Sequence, residues 1–102
     1  PQTKLSLTTT NLSQGLYRII VSWIWGRSTI TTSSIFDITL NGIPMDNTQM
    51  LMEAKDIRVF LPAARVYYKE LSGINTIALR YWNGSSGITY ISDAMIEIIR
   101  VS

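Results

Sequence analysis

Ten consecutive residues, Leu16 to Trp25, set the strongest limit on the fold. Tyr17, Ile19, Val21, Trp23 and Trp25 occupy every second position of this stretch. A period of two puts all five on one face of an extended strand. A helix would scatter them, because neighbours on a helix face recur every three to four residues. Five large apolar side chains in a row need a second layer to bury them, so the strand must belong to a sheet packed on another element. Composition points the same way. Fifteen Ile, four Val and eleven Thr give 30 β-branched residues of 102, joined by ten aromatics. Such residues fit a pleated, half-buried surface better than a helix. A 46% hydrophobic content excludes intrinsic disorder, and the length suits one domain spanning 1–102.

Turn residues punctuate the chain at roughly ten-residue spacing, as in a sandwich or barrel. Lys4 to Thr10 reads as a strand, followed by a turn over 11–15. A polar loop over 26–34 separates the Trp-bearing strand from Ile35–Leu40, whose Phe36, Ile38 and Leu40 share a face. Asn41-Gly42 is a two-residue hairpin signal of the type I′ class, which requires positive φ at both central positions. Residues 49–56 fit one helical turn or an irregular edge strand, and the latter is preferred because Pro44 and Asn47 precede the stretch and no helical stripe continues beyond it. Pro62 is expected to break the next strand into two pieces, 58–61 and 64–69, with a turn over 70–73. Asn75–Trp82 presents Ile77, Leu79 and Tyr81 on one side. After a loop over 83–87, Ile88 to Val101 forms a long last strand, with Ile88, Tyr90, Ala94, Ile96 and Ile98 expected in the core. The total is seven or eight antiparallel strands and no βαβ alternation, so the expected architecture is an all-β antiparallel jelly-roll sandwich.

Absences narrow the chemistry. The chain has no His and no Cys, which removes the commonest general base, the commonest transition-metal ligand and every thiolate. Nine Lys and Arg against seven Asp and Glu leave a net charge of +2, scattered along the chain. A nucleic-acid surface shows clustered basic residues instead. No apolar run nears the ~20 residues of a membrane-spanning helix, so no membrane insertion is expected. Asp93 and Glu97 lie on one strand face with Cα atoms ~13 Å apart at ~3.3 Å per residue, too far for a glycosidase pair. They read as solvated groups near Arg80 or Arg100. Glu53 and Asp56 read as a solvated turn. No Asp-x-Asp-x-Asp metal spacing and no phosphate-binding loop is present. Neither a catalytic residue nor a metal site nor a cofactor is expected.

Two features point to binding. Trp25 beside Arg27, and Trp82 beside Asn83, border the two polar loops. An indole offers its face to the C–H side of a sugar ring, and Asn or Arg side chains then reach the hydroxyls. The competing role for Trp25 is core packing, as its alternation with Trp23 implies, and for Trp82 the shielding of a strand end. The second feature is apolar character on the other face of the first and last long strands. Leu16, Ile20, Ile24, Ile91, Met95, Ile99 and Val101 would form a larger patch than a monomer usually shows to water. A subunit interface explains it. So does a bulge that switches the inward register partway along a strand.

Four blocks carry a resemblance: Gly15-Leu-Tyr-Arg-Ile-Ile-Val-Ser22, Phe36-Asp-Ile-Thr-Leu-Asn-Gly42, Leu71-Ser-Gly-Ile-Asn-Thr-Ile-Ala-Leu79, and Ile91-Ser-Asp-Ala-Met-Ile-Glu-Ile-Ile-Arg-Val101. In strand pattern and turn placement they resemble the jelly-roll tip domains of phage tail fibres and tail needles. Those domains are similar to the tumour-necrosis-factor and complement C1q heads. The resemblance implies a TNF-like sandwich, a homotrimeric knob at the end of a virion fibre, and a host cell-surface receptor such as a glycan. The opening Pro1-Gln2-Thr3, without Met, leads us to expect a piece of a longer fibrous protein. The same blocks are similar to jelly-roll carbohydrate-binding modules of extracellular glycoside hydrolases, with Leu71, Gly73, Asn75, Thr76 and Ile77 matching one strand of that pattern. A purely structural virion subunit is the third alternative.

Overall fold

The Trp-bearing stretch is the middle of the central strand of a three-stranded sheet. A computed structural model describes residues 2–27, 34–45, 50–52, 60–83 and 88–102. In it, β2 (Leu12–Arg27) is flanked by β6 (Leu61–Gly73) on one side and β8 (Thr89–Arg100) on the other, both antiparallel to it. The second sheet has the order β1 (Gln2–Thr8), β7 (Thr76–Asn83), β3 (Ser34–Leu40), β4 (Ile43–Pro44), with β5 (Met50–Met52) also paired to β3. The chain changes sheet between β1 and β2, β2 and β3, β5 and β6, β6 and β7, and β7 and β8. The protein is therefore an all-β, two-sheet antiparallel sandwich of eight strands, the upper end of the expected number.

The core forms where the alternating faces of the two sheets meet. Tyr17, Ile19, Val21, Trp23 and Trp25 of β2 point inward, as their spacing requires, and all are buried. Phe36 and Ile38 of β3 and Ile77 and Leu79 of β7 face them. Phe36 is held between two indoles, 5.2 Å from Trp23 and 5.7 Å from Trp25 between ring centroids, the latter edge-on, a geometry that aromatic quadrupoles favour. The β3–β4 hairpin is the expected two-residue turn. Asn41 has φ 52° and Gly42 φ 86°, and Leu40 pairs with Ile43 around them. The Asn41 side chain also ties the turn to β7, accepting from the Thr76 backbone N–H at 2.8 Å.

Several boundaries differ from the sequence expectation. Pro62 does not break the strand: β6 runs through it, with Pro62 paired to Ile24. A proline is tolerated there because, among the described residues, β6 is an edge strand with no outer neighbour to need its missing N–H. Residues 70–73 continue β6 rather than turning. β2 begins at Leu12, inside the expected 11–15 turn, and a register shift lies between Leu12 and Gly15. Gly26 and Arg27 end β2 and Ser34 starts β3, so only 28–33 of the expected loop remain, outside the described residues.

The largest correction concerns β8. Ser22 pairs with Met95 and Ile24 with Ser92, so Asp93 and Ala94 together oppose Trp23. Asp93 adopts a left-handed backbone, φ 49°. This is a β-bulge, and it reverses which side chains point inward. Ala94, Ile96 and Ile98 beyond it pack on the core as expected. Before it the parity is opposite: Thr89 is buried and Ile91 packs on the core, while Ile88 and Tyr90 are exposed. Ile88 and Tyr90 are thus not core residues, and Ile91 does not belong to the outer face.

Candidate functional site

At one end of the sandwich four strand ends converge on a buried cation. Arg27, at the end of β2, has no exposed surface. Cross-strand pairing sets Thr89 opposite Arg27 and Asn83 opposite Ser34. Arg27 Nη1 lies within donating distance of Ser34 Oγ (2.9 Å), Asn83 Oδ1 (3.2 Å) and Thr89 Oγ1 (3.3 Å). Thr89 Oγ1 donates to Asn83 Oδ1 at 2.6 Å, so Ser34 Oγ donates to Thr89 Oγ1 at 2.7 Å. Burial pushes the Arg27 pKa below its ordinary value, and a guanidinium still keeps its charge. Such a network fixes the rotamers of its members, since a buried donor without an acceptor is costly.

In front of this network lies a cleft of about 360 Å³ lined by Gln2, Tyr81, Trp82, Asn83, Ile88 and Thr89, within the size range of small-ligand sites. Gln2 pairs with Tyr81 across β1 and β7, and the Tyr81 hydroxyl donates to Gln2 Oε1 at 2.9 Å. Trp82 is half-buried and Asn83 exposed. Aromatic surface, an amide and a hydroxyl thus line one concavity, with Asn83 and Thr89 anchored from behind by Arg27.

Of the four expected ligand contacts, Trp82 and Asn83 line this cleft. Trp25 does not: it is 3% exposed and meets Phe36 edge-on in the core. Arg27 is a correction as well, since it lies beneath the cleft and offers no surface to a ligand. Gln2, Tyr81 and Thr89 were not expected. Gln2 reaches the cleft only through the pairing of β1 with β7, 79 residues away in sequence, and Tyr81 has the parity of a core residue. The remaining loop residues, 28–33 and 84–87, lie outside the described residues, as do 46–49 and 53–59 with Glu53 and Asp56.

The expected interface residues collect on the outward face of the β6–β2–β8 sheet. Leu16, Ile20 and Ile24 are half-buried there, and Met95, Ile99 and Val101 are exposed; Ile91 is the exception already described. β6 enlarges the patch with Val66 (52% exposed) and Tyr68 (57%), paired to Ile20 and Arg18. At the distal end Tyr90, paired with Gly26, meets the Phe60 ring at 6.4 Å. Small residues and the bulge, Ser22, Ala64 and Asp93 among them, leave a depression of about 440 Å³ in this face.

Arg80 and Arg100 have other partners than expected. Arg80 pairs with Asp37, not with Asp93 or Glu97. Arg100 donates to the backbone oxygens of Gln14 and Ser102. Asp93 and Glu97 are both exposed. Among the described residues no three potential metal ligands gather. No protein-family model, curated protein or solved structure matches this chain.

Proposed function

We propose that the chain is a non-enzymatic attachment domain that holds a sugar of a cell-surface glycan in the Gln2–Tyr81–Trp82–Asn83 cleft. The observation that carries this reading is Trp82 beside Asn83 at the rim of a cleft that is also lined by the amide-bearing Gln2 and the hydroxyl-bearing Tyr81. A sugar ring has an apolar C–H face and an equatorial belt of hydroxyls. The indole supplies the first complement, and side chains that both donate and accept supply the second. Arg27 positions Asn83 without touching the ligand. The missing His and Cys leave acyl transfer without its usual base or thiol nucleophile.

The resemblance to phage fibre and needle tips supports a virion knob contacting its host, with a TNF-like trimer as its assembly. An appended carbohydrate-binding module of an extracellular hydrolase uses the same cleft and differs in being monomeric.

The test is a glycan array followed by titration calorimetry on the best hits. The wild-type chain is expected to bind a defined glycan class, and Trp82→Ala to lose it while keeping the wild-type circular-dichroism spectrum. An empty array, or unchanged binding by Trp82→Ala, overturns the reading.

A further inference from the structure

We propose that the outward face of the β6–β2–β8 sheet docks a second copy of this chain, and that Arg18 of one copy pairs there with Glu97 of the other. This inference goes beyond the glycan reading and stands or falls without it.

The argument starts from one side chain. Arg18 projects from β2 between Tyr68 of β6 and Ile99 of β8, its cross-strand partners. Its Nε is out of contact with solvent and has no hydrogen-bond partner. A guanidinium N–H out of reach of water and left without an acceptor is costly even on a half-exposed side chain, and an incoming carboxylate supplies that acceptor. Glu97, opposite Ile20 on the same face, is exposed and makes no ion pair among the described residues. Among the described residues, one face therefore carries a cation without an anion and an anion without a cation, one row of side chains apart, yet not joined to each other. Placed against a second copy, the two complement one another.

The apolar surroundings fit the same occupant. Val66, Tyr68, Met95 and Ile99 stand proud of the sheet, while Ser22 and Ala64 leave the 440 Å³ depression beside them. Bulk and hollow on one surface are what a self-complementary contact requires. Three strands about 5 Å apart and about twelve residues long give a face of roughly 600 Å². That lies somewhat below the ~800 Å² per partner of a standard interface, so the association should depend visibly on concentration.

The experiment is mass by light scattering on a sizing column, across a concentration series reaching about 1 mM, together with sedimentation equilibrium. The wild-type chain is expected at a small multiple of 11.5 kDa. Arg18→Glu and Glu97→Arg should each weaken association by roughly tenfold or more, and mixing the two variants should restore it. Val66→Asp, on an exposed edge-strand position, should also give monomers; it keeps the test open if Arg18→Glu fails to fold. A monomeric wild-type chain throughout the series overturns the proposal. So does association that survives Val66→Asp, which would put the contact on another surface. Full association of Arg18→Glu, or a mixture that stays monomeric, overturns the Arg18–Glu97 pairing. None of these readings involves the cleft, so failure of the glycan test leaves them intact.

Discussion

Arg80 grips Asp37 side-on across β3 and β7, with Nε 2.8 Å from Oδ1 and Nη2 2.5 Å from Oδ2. The carboxylate is 2% exposed, whereas 29% of the arginine side chain reaches solvent. The hydrogen bond to Asp37 raises the Arg80 pKa. Because the pair is bidentate and half of it is dry, removing the arginine should be worse than removing the acid. Arg80→Met leaves a buried anion without its partner and is expected to cost about 2–3 kcal/mol. Asp37→Asn should cost less. Urea denaturation of both variants checks the order; equal losses would mean that the carboxylate is better solvated than its burial implies.

The bulge makes a prediction of opposite sign at one position. Asp93 holds φ 49°, a region that glycine enters freely and β-branched residues resist. Asp93→Gly should leave stability unchanged or raise it by up to about 1 kcal/mol, while Asp93→Val should lower it by about 1–2 kcal/mol. Thermal melts of the two proteins give the comparison.

The three tryptophans separate into packing and binding. Trp25→Ala opens a core cavity beside Phe36 and should cost about 3–5 kcal/mol. Trp82→Ala removes a half-buried ring at the cleft rim and should cost less than about 2 kcal/mol, with its main effect on ligand affinity. If Trp82→Ala unfolds the protein as readily as Trp25→Ala, Trp82 is a structural lid on the strand end.

Ile91 and Ile99 are both odd-numbered residues of β8, yet the bulge sends them to opposite sides. Ile99→Asp should therefore shift the mass towards 11.5 kDa with the melting temperature barely moved. Ile91→Asp places a charge against the core and should lower the melting temperature sharply. Without a bulge the two residues would share a face and the two variants would behave alike, which makes the pair a direct check on the register of β8.

How much of this was legible in the chain can be judged at particular residues. The inward face of β2 was, because Tyr17, Ile19, Val21, Trp23 and Trp25 obey an unbroken period of two that only an extended strand satisfies. The turn at Asn41-Gly42 was too, since both residues tolerate the positive φ that a two-residue hairpin imposes. Trp82 and Asn83 announced the cleft by standing together at a strand end. Local periodicity and turn chemistry are properties of neighbours in sequence, and they determined the two-sheet, all-β architecture and two of the six residues that line the candidate cleft.

The rest was decided by groups that meet only in the folded chain. Asp37 and Arg80 are 43 residues apart, and nothing near either of them names the other. Ile91 and Tyr90 exchange sides because β8 must keep its hydrogen bonds with Ser22 and Ile24, and the extra residue is absorbed at Asp93. Arg27 reads as a surface charge beside a polar loop, but the ends of β2, β3, β7 and β8 close around it and supply the oxygens that make its burial tolerable. Gln2 enters the cleft because β1 pairs with β7. Each of these depends on strand pairing over long sequence separations, and the free energy of a paired or buried group is set by its spatial neighbours, which the order of residues along the chain does not name.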